Sequence, residues 1–148
     1  MPEGILAASH FIAGRAPGLT LHVRNKRPLG IEHFAEDRVL VLVHGATYGV
    51  ETGFDLEIGG FSWMDWMAAR GFDVYAVDVR GYGQSTRPAQ MDAPSKDNPP
   101  FAFTTDAIED LAAAVDFVKA RRNLDRVGVI GWSWGTTIAG GFAAKHPE

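Results

Sequence analysis

Gly131-Trp132-Ser133-Trp134-Gly135 lies near the C-terminus of this 148-residue chain, and its surroundings decide the fold. Before it, Arg126-Val127-Gly128-Val129-Ile130 is an apolar run that reads as a buried strand; after it, Thr136 to Lys145 is a helical stretch rich in small residues. Strand, G-x-S-x-G, helix is the context that turns a five-residue match into a nucleophile elbow. Such an elbow places its serine on a sharp strand-to-helix turn, so a positive φ is expected at Ser133, where a side chain costs energy. The turn is crowded two residues to either side, and glycine is wanted at both positions, here Gly131 and Gly135. The hydroxyl is then raised above the sheet, with the N-terminus of the next helix aimed at developing negative charge.

Working outward, Val39-Leu40-Val41-Leu42-Val43 is a second apolar run, of the kind expected of a strand covered on both faces, and His44-Gly45 ends it. Phe72 to Val77 is a third. Ser9 to Ala13 and Leu19 to Arg24 alternate and flank Ala16-Pro17-Gly18, which predicts an antiparallel edge hairpin with His10 and His22 on its surface. Asn25 to Asp37 reads as a polar connection. Ser62-Trp63-Met64-Asp65 has capping-box spacing and opens a short helix that Gly71 ends, with Phe61, Met64, Met67 and Ala68 as its core face. Thr104 or Asp106 caps a longer helix carrying Ile108, Leu111, Ala112, Val115 and Val118 at helical spacing, with Lys119, Arg121 and Arg122 at its end. Strands alternate with helices, so the class is α/β, a parallel sheet beyond the hairpin with helices on both faces.

The elbow and the Val39–Gly45 run together resemble the N-terminal half of an α/β-hydrolase, and nearly all of residues 1–148 can be laid on that half. Asp78-Val79-Arg80-Gly81-Tyr82-Gly83-Gln84-Ser85 is similar to that family's D-x-R-G-x-G-x-S turn. The resemblance implies Ser133 as nucleophile and the backbone N–H groups of Ala46 and Trp134 as the oxyanion hole. It implies a supporting role for His44 and Gly45, with His44 holding its loop by a hydrogen bond. Trp132, Trp134, Tyr48 and Phe54 suggest a partly aromatic pocket; Trp132 packing beneath the elbow is the alternative. Thr86 to Phe103, with four prolines, borders the substrate entrance or is a mobile surface loop. Glu51, Asp55 and Glu57 in the preceding loop read as solvated charges.

The family's catalytic order is Ser, then Asp or Glu, then His. After Ser133 the chain offers only His146 and Glu148, at the far end of the elbow's helix. Thirteen helical positions put His146 roughly 15–20 Å from Ser133, which rejects it as the base. The partial domain of residues 1–148 therefore lacks the triad acid and histidine. The expectation is that a missing C-terminal half comes from the rest of a longer chain or from a second polypeptide, and that this chain alone is inactive.

Composition narrows the partners. A net charge of −4 gives no basic footprint for nucleic acid. No apolar run reaches membrane-spanning length, and Met1-Pro2-Glu3-Gly4 does not begin a signal peptide, so a cytoplasmic location without membrane contact is expected. The absence of cysteine removes a thiol nucleophile and any disulfide. No His/Cys/Asp/Glu cluster has metal-ligand spacing, so neither metal nor cofactor is expected. The function that follows is a serine hydrolase of small acyl compounds such as esters or lactones. A prolyl aminopeptidase-like peptidase, or a non-catalytic hydrolase-fold binding protein, is the alternative.

Overall fold

In the computed structural model, which describes residues 4–147, β1 (Ile5–Ala13) and β2 (Thr20–Pro28) form an antiparallel hairpin. β2 pairs antiparallel with β4 (Asp73–Val77), β4 pairs parallel with β3 (Val39–Val43), and β3 pairs parallel with β5 (Gly128–Gly131). The result is one open five-stranded sheet in the order β1-β2-β4-β3-β5. Its helices are α1 (Val50–Gly53), α2 (Trp63–Ala68), α3 (Thr104–Arg122) and α4 (Trp134–Lys145). This is an α/β sheet, parallel beyond the hairpin, with the edge hairpin where the turn chemistry put it. Residues 1–3, read above for a signal peptide, and Glu148 lie outside the described residues.

The apolar character of β3, and of β4 after Asp73, follows from cover on both faces. Val39, Val41, Val43, Tyr75 and Val77 pack with α3 and α4, while Leu42, Val74 and Ala76 pack with α1 and α2. Side chains on a strand alternate, so burial on both faces calls for an apolar residue at each position or, as at Asp73, a charge held by partners, here Asn25 and Arg122. Each Val or Leu so buried contributes roughly 1.5–3 kcal/mol relative to exposure.

Several local expectations need correcting. β2 runs on through Asn25, Lys26 and Arg27, polar residues that read as a connection yet are buried because each has a partner. The Asn25 Nδ2 donates to Asp73 at 2.7 Å, Lys26 pairs with Asp55 and Asp65 at 2.6 and 2.8 Å, and Arg27 pairs with Glu32 at 2.9 Å. Asp55 is thus no solvated loop charge: Arg24 also holds it, at 2.8 Å. Phe61 is exposed and lies off the core face of α2. β5 is half-buried, because among the described residues it pairs only with β3 and forms the sheet's outer edge. The Ser62 capping box is present: its Oγ accepts from the Asp65 N–H at 3.1 Å, and its own N–H donates to the Asp65 carboxylate at 2.8 Å. Asp106 accepts the Phe103 N–H at 3.2 Å at the start of α3, and Asn123 ends that helix in the left-handed conformation.

Candidate active site

The parallel register places the C-terminal ends of three strands side by side: Val43 stands opposite both Val77 and Gly131. The segments that follow, His44-Gly45, Asp78-Val79 and Trp132-Ser133, therefore emerge along one edge of the sheet. The Trp132 N–H donates to the Val43 carbonyl at 3.1 Å and extends the pairing by one residue. The chain then turns sharply. Ser133 has φ 56° and ψ −121°, and α4 begins at the next residue. This is the positive φ expected from the motif, and such a conformation costs on the order of 1–3 kcal/mol.

Close packing explains the glycines around it. A methyl group at Gly131 would run into the Gly135 carbonyl, and one at Gly135 into the Val43 carbonyl. At Gly45 it would lie 2.7 Å from the Ser133 Cβ and 3.1 Å from its Oγ. The loop after β3 thus lies directly against the serine. The Ala46 N–H, in that loop, donates to no protein acceptor among the described residues. The Trp134 N–H is in the first turn of α4, where a helix offers no internal acceptor. Neither N–H thus has a protein acceptor among the described residues, and Ser133 is exposed. Thr47 adds strain that the sequence does not reveal, a β-branched residue at φ 83°.

His44 is fully buried, and both ring nitrogens are engaged. Its Nε2 accepts the Val79 N–H at 3.0 Å, which leaves Nδ1–H to donate to the Gly45 carbonyl at 2.6 Å. Burial is the larger influence and lowers its pKa below the ordinary 6.5, against the Gly45 carbonyl and Asp78, which act to raise it. A neutral imidazole with no free nitrogen holds the β3 loop to the β4 turn and does not face Ser133 as a base.

The aromatic residues divide. Trp132 and Tyr48 are exposed, so Trp132 does not pack beneath the elbow. The Trp134 Nε1–H donates to the Thr104 hydroxyl at 3.0 Å, which anchors α4 to the start of α3. Phe54 is fully buried against Trp63, inside the core beneath α1. Residues of the Thr86–Phe103 segment do line a space: Arg87, Met91 and Phe101 face Thr47, Gly49 and Tyr82 across a cavity of about 530 Å³. Neither Ser133 nor Ala46 nor Trp134 lines that cavity, which lies beside the turn Arg80–Gly83. Ser133 Oγ has no hydrogen-bonding base among the described residues, and His146 ends α4 stacked on Phe142.

Comparison with known proteins agrees with the architecture. Residues 38–148 match the sequence profile described as the alpha/beta hydrolase fold. The chain belongs to the α/β-hydrolase fold family. Over 109 residues, 74% of this chain, it is 34% identical to a 1-acylglycerol-3-phosphate O-acyltransferase of Arabidopsis thaliana and 33% identical to a probable one of Oryza sativa. In both cases the match spans 22% of the relative's length. Among solved structures, a hypothetical protein of Pseudomonas aeruginosa superposes with a TM-score of 0.70 at 23% identity, over 97% of this chain and 40% of that one. The esterase Est22 does so with 0.67 at 14%, over 97% and 39%. An epoxide hydrolase from Vigna radiata gives 0.64 at 17%, over 95% and 35%. At these identities the likeness is one of fold. Among the described residues, no helix is long and apolar enough to cross a membrane.

Proposed function

We propose that this chain carries the nucleophile and oxyanion hole of a serine hydrolase acting on small acyl substrates, esters or lactones. The observation that carries the reading is Ser133 at φ 56°, held at the start of α4 with the Gly45 loop against it. In that reaction the Ser133 Oγ adds to the acyl carbon. The developing oxyanion takes hydrogen bonds from the Ala46 and Trp134 N–H groups, and water later releases the acyl group. The hydroxyl needs a histidine to take its proton and a carboxylate to orient that histidine. Among the described residues no side chain hydrogen-bonds the Ser133 Oγ, and we propose that polypeptide outside these 148 residues, in the same chain or another, supplies both, so that Ser133 turns over no ester without it.

The 34% identity to an acyltransferase favours a second reading of the same site, in which an alcohol and not water accepts the acyl group from Ser133. The two share the acyl-serine and differ in the step that discharges it. The test is p-nitrophenyl acetate turnover by the protein at its natural length. Activity lost in Ser133→Ala supports a Ser133 acyl-enzyme, and activity unchanged in that variant removes it. Adding 1-acylglycerol-3-phosphate then separates the readings: transfer of the acyl group to it selects the second. Faster cleavage of proline p-nitroanilide than of the acetate would instead select a prolyl aminopeptidase.

A further inference from the structure

From the β1–β2 hairpin to the end of β4, three side chains form a continuous hydrogen-bonded line. The Ser9 Oγ lies 2.9 Å from His22 Nε2, and His22 Nδ1 lies 2.8 Å from Asp78 Oδ2. His22, expected on the strand surface, is instead buried, as is Asp78, while Ser9 is exposed at the end of the line. The hairpin register produces this. Ser9 stands opposite Arg24 and Phe11 opposite His22, so Ser9 and His22 are diagonal neighbours on one face. Asp78 reaches the same face from the end of β4.

The proton positions follow from the bonding. Asp78 also accepts the Val50 N–H at 2.7 Å and the Gln84 N–H at 3.1 Å. Burial, the largest influence, acts to raise its pKa, yet His22 and these two N–H groups together hold it below the ordinary 3.8. An ionised carboxylate only accepts, so His22 Nδ1 carries a proton and donates it. In the neutral ring Nε2 is then an acceptor, and the Ser9 hydroxyl donates to it. That is the proton arrangement of a serine whose base is in place and oriented.

The array opens on a cleft of about 650 Å³ that Ser133 does not line; β2, β4 and β3 stand between Ser9 on β1 and the elbow after β5. Ser9, His22, Arg24 and Asp78 line it together with Glu51 and Glu57. Arg24 directs its Nε–H to Asp55 at 2.8 Å, which leaves its terminal nitrogens as donors beside Ser9. Glu51 has no ion-pair partner among the described residues and gives the rim a free negative charge.

We propose that Ser9 is a second catalytic nucleophile, activated by His22 and Asp78, for small acyl esters that carry a positive charge. The Ser9 Oγ bonds to the acyl carbon as its proton passes to His22 Nε2, and Arg24 faces the resulting oxyanion. The C–O bond to the alcohol breaks, and the alcohol leaves with the proton from His22. Water, deprotonated by the same nitrogen, then cleaves the acyl-Ser9 bond and restores the array. Glu51 and Glu57 select the cationic alcohol.

The test treats the protein at its natural length with a fluorophosphonate. Ser9 displaces fluoride at phosphorus, and the trypsin-digested product is mapped. The tryptic peptide ending at Arg15 contains Ser9 as its only hydroxyl residue and is distinct from the Val127–Lys145 peptide that holds Ser133. Ser95, exposed at the start of the 3-10 turn Ser95–Asp97, is the internal standard for an unactivated serine. The expected result is labelling of Ser9 roughly hundredfold faster than Ser95, falling to the Ser95 rate in His22→Gln. In Ser133→Ala, hydrolysis of acetylcholine is expected to persist, and to vanish when Ser9→Ala is added. Ser9 labelling no faster than Ser95, or no choline release by Ser133→Ala, overturns the proposal. Loss of Ser133 labelling alone bears on the elbow and leaves this site standing.

Discussion

Gly45 and Ser133, 88 positions apart in sequence, touch so closely that a Cβ on the glycine would lie 2.7 Å from the Cβ of the serine. No real Cβ packs at that distance, so the loop after β3 and the turn after β5 fit only because one partner lacks a side chain. The contact fixes where the Ala46 N–H stands relative to the Ser133 hydroxyl.

Gly45→Ala tests that contact. Overpacking of a well-packed site costs about 1–3 kcal/mol, and it is relieved only by moving Ser133 or the loop. A lower urea midpoint is expected, together with loss of Ser133 labelling by a fluorophosphonate under native conditions. Wild-type labelling in this variant would mean the loop is not fixed by the contact.

His44 predicts a pH dependence. Its pKa is lowered in the folded state, so the unfolded chain binds more protons as pH falls past about 6.5, the ordinary value. The stability it contributes is full above that pH and declines as pH drops toward the folded value. His44→Gln retains a group that can accept from the Val79 N–H but does not titrate. Urea midpoints between pH 7.5 and 5.5 should fall more steeply for the wild type than for this variant; equal slopes contradict the assignment.

Lys26→Met removes the cation between the Asp55 and Asp65 carboxylates, 2.6 and 2.8 Å away. Arg24 still holds Asp55, but Asp65 loses its only cation among the described residues. Breaking a buried pair from one side costs about 3–5 kcal/mol. Thermal unfolding should show a large drop. A variant within about 1 kcal/mol of the wild type would show that water relieves the carboxylates.

What the sequence disclosed depended on whether the cause was local. Val39–Val43 could be read to the residue because burial on both faces leaves an unbroken apolar run. The Ser62–Asp65 cap and the positive φ at Ser133 follow from residues within a few positions. His22, Asn25, Lys26 and Asp55 were misplaced because each is buried by a distant partner. Asp78 lies 56 positions from His22, Asp73 48 from Asn25, and Asp65 39 from Lys26. A polar residue in a single sequence reads as solvated when its partner is that remote. Phe61 and the half-exposed β5 failed for the opposite reason: apolar residues were assigned to the core where the fold leaves an edge. The φ of Thr47 had no sequence signal, since threonine is among the residues least expected there.

The central claim is that Ser133 is an activated nucleophile. The most direct measurement is the extent of fluorophosphonate labelling on the Val127–Lys145 tryptic peptide, from protein isolated at its natural length. The account predicts a single adduct on that peptide, at Ser133, and none there in Ser133→Ala. Recovery of the wild-type peptide unmodified, with the protein folded, would contradict it: the elbow would then be a structural turn with no catalytic role.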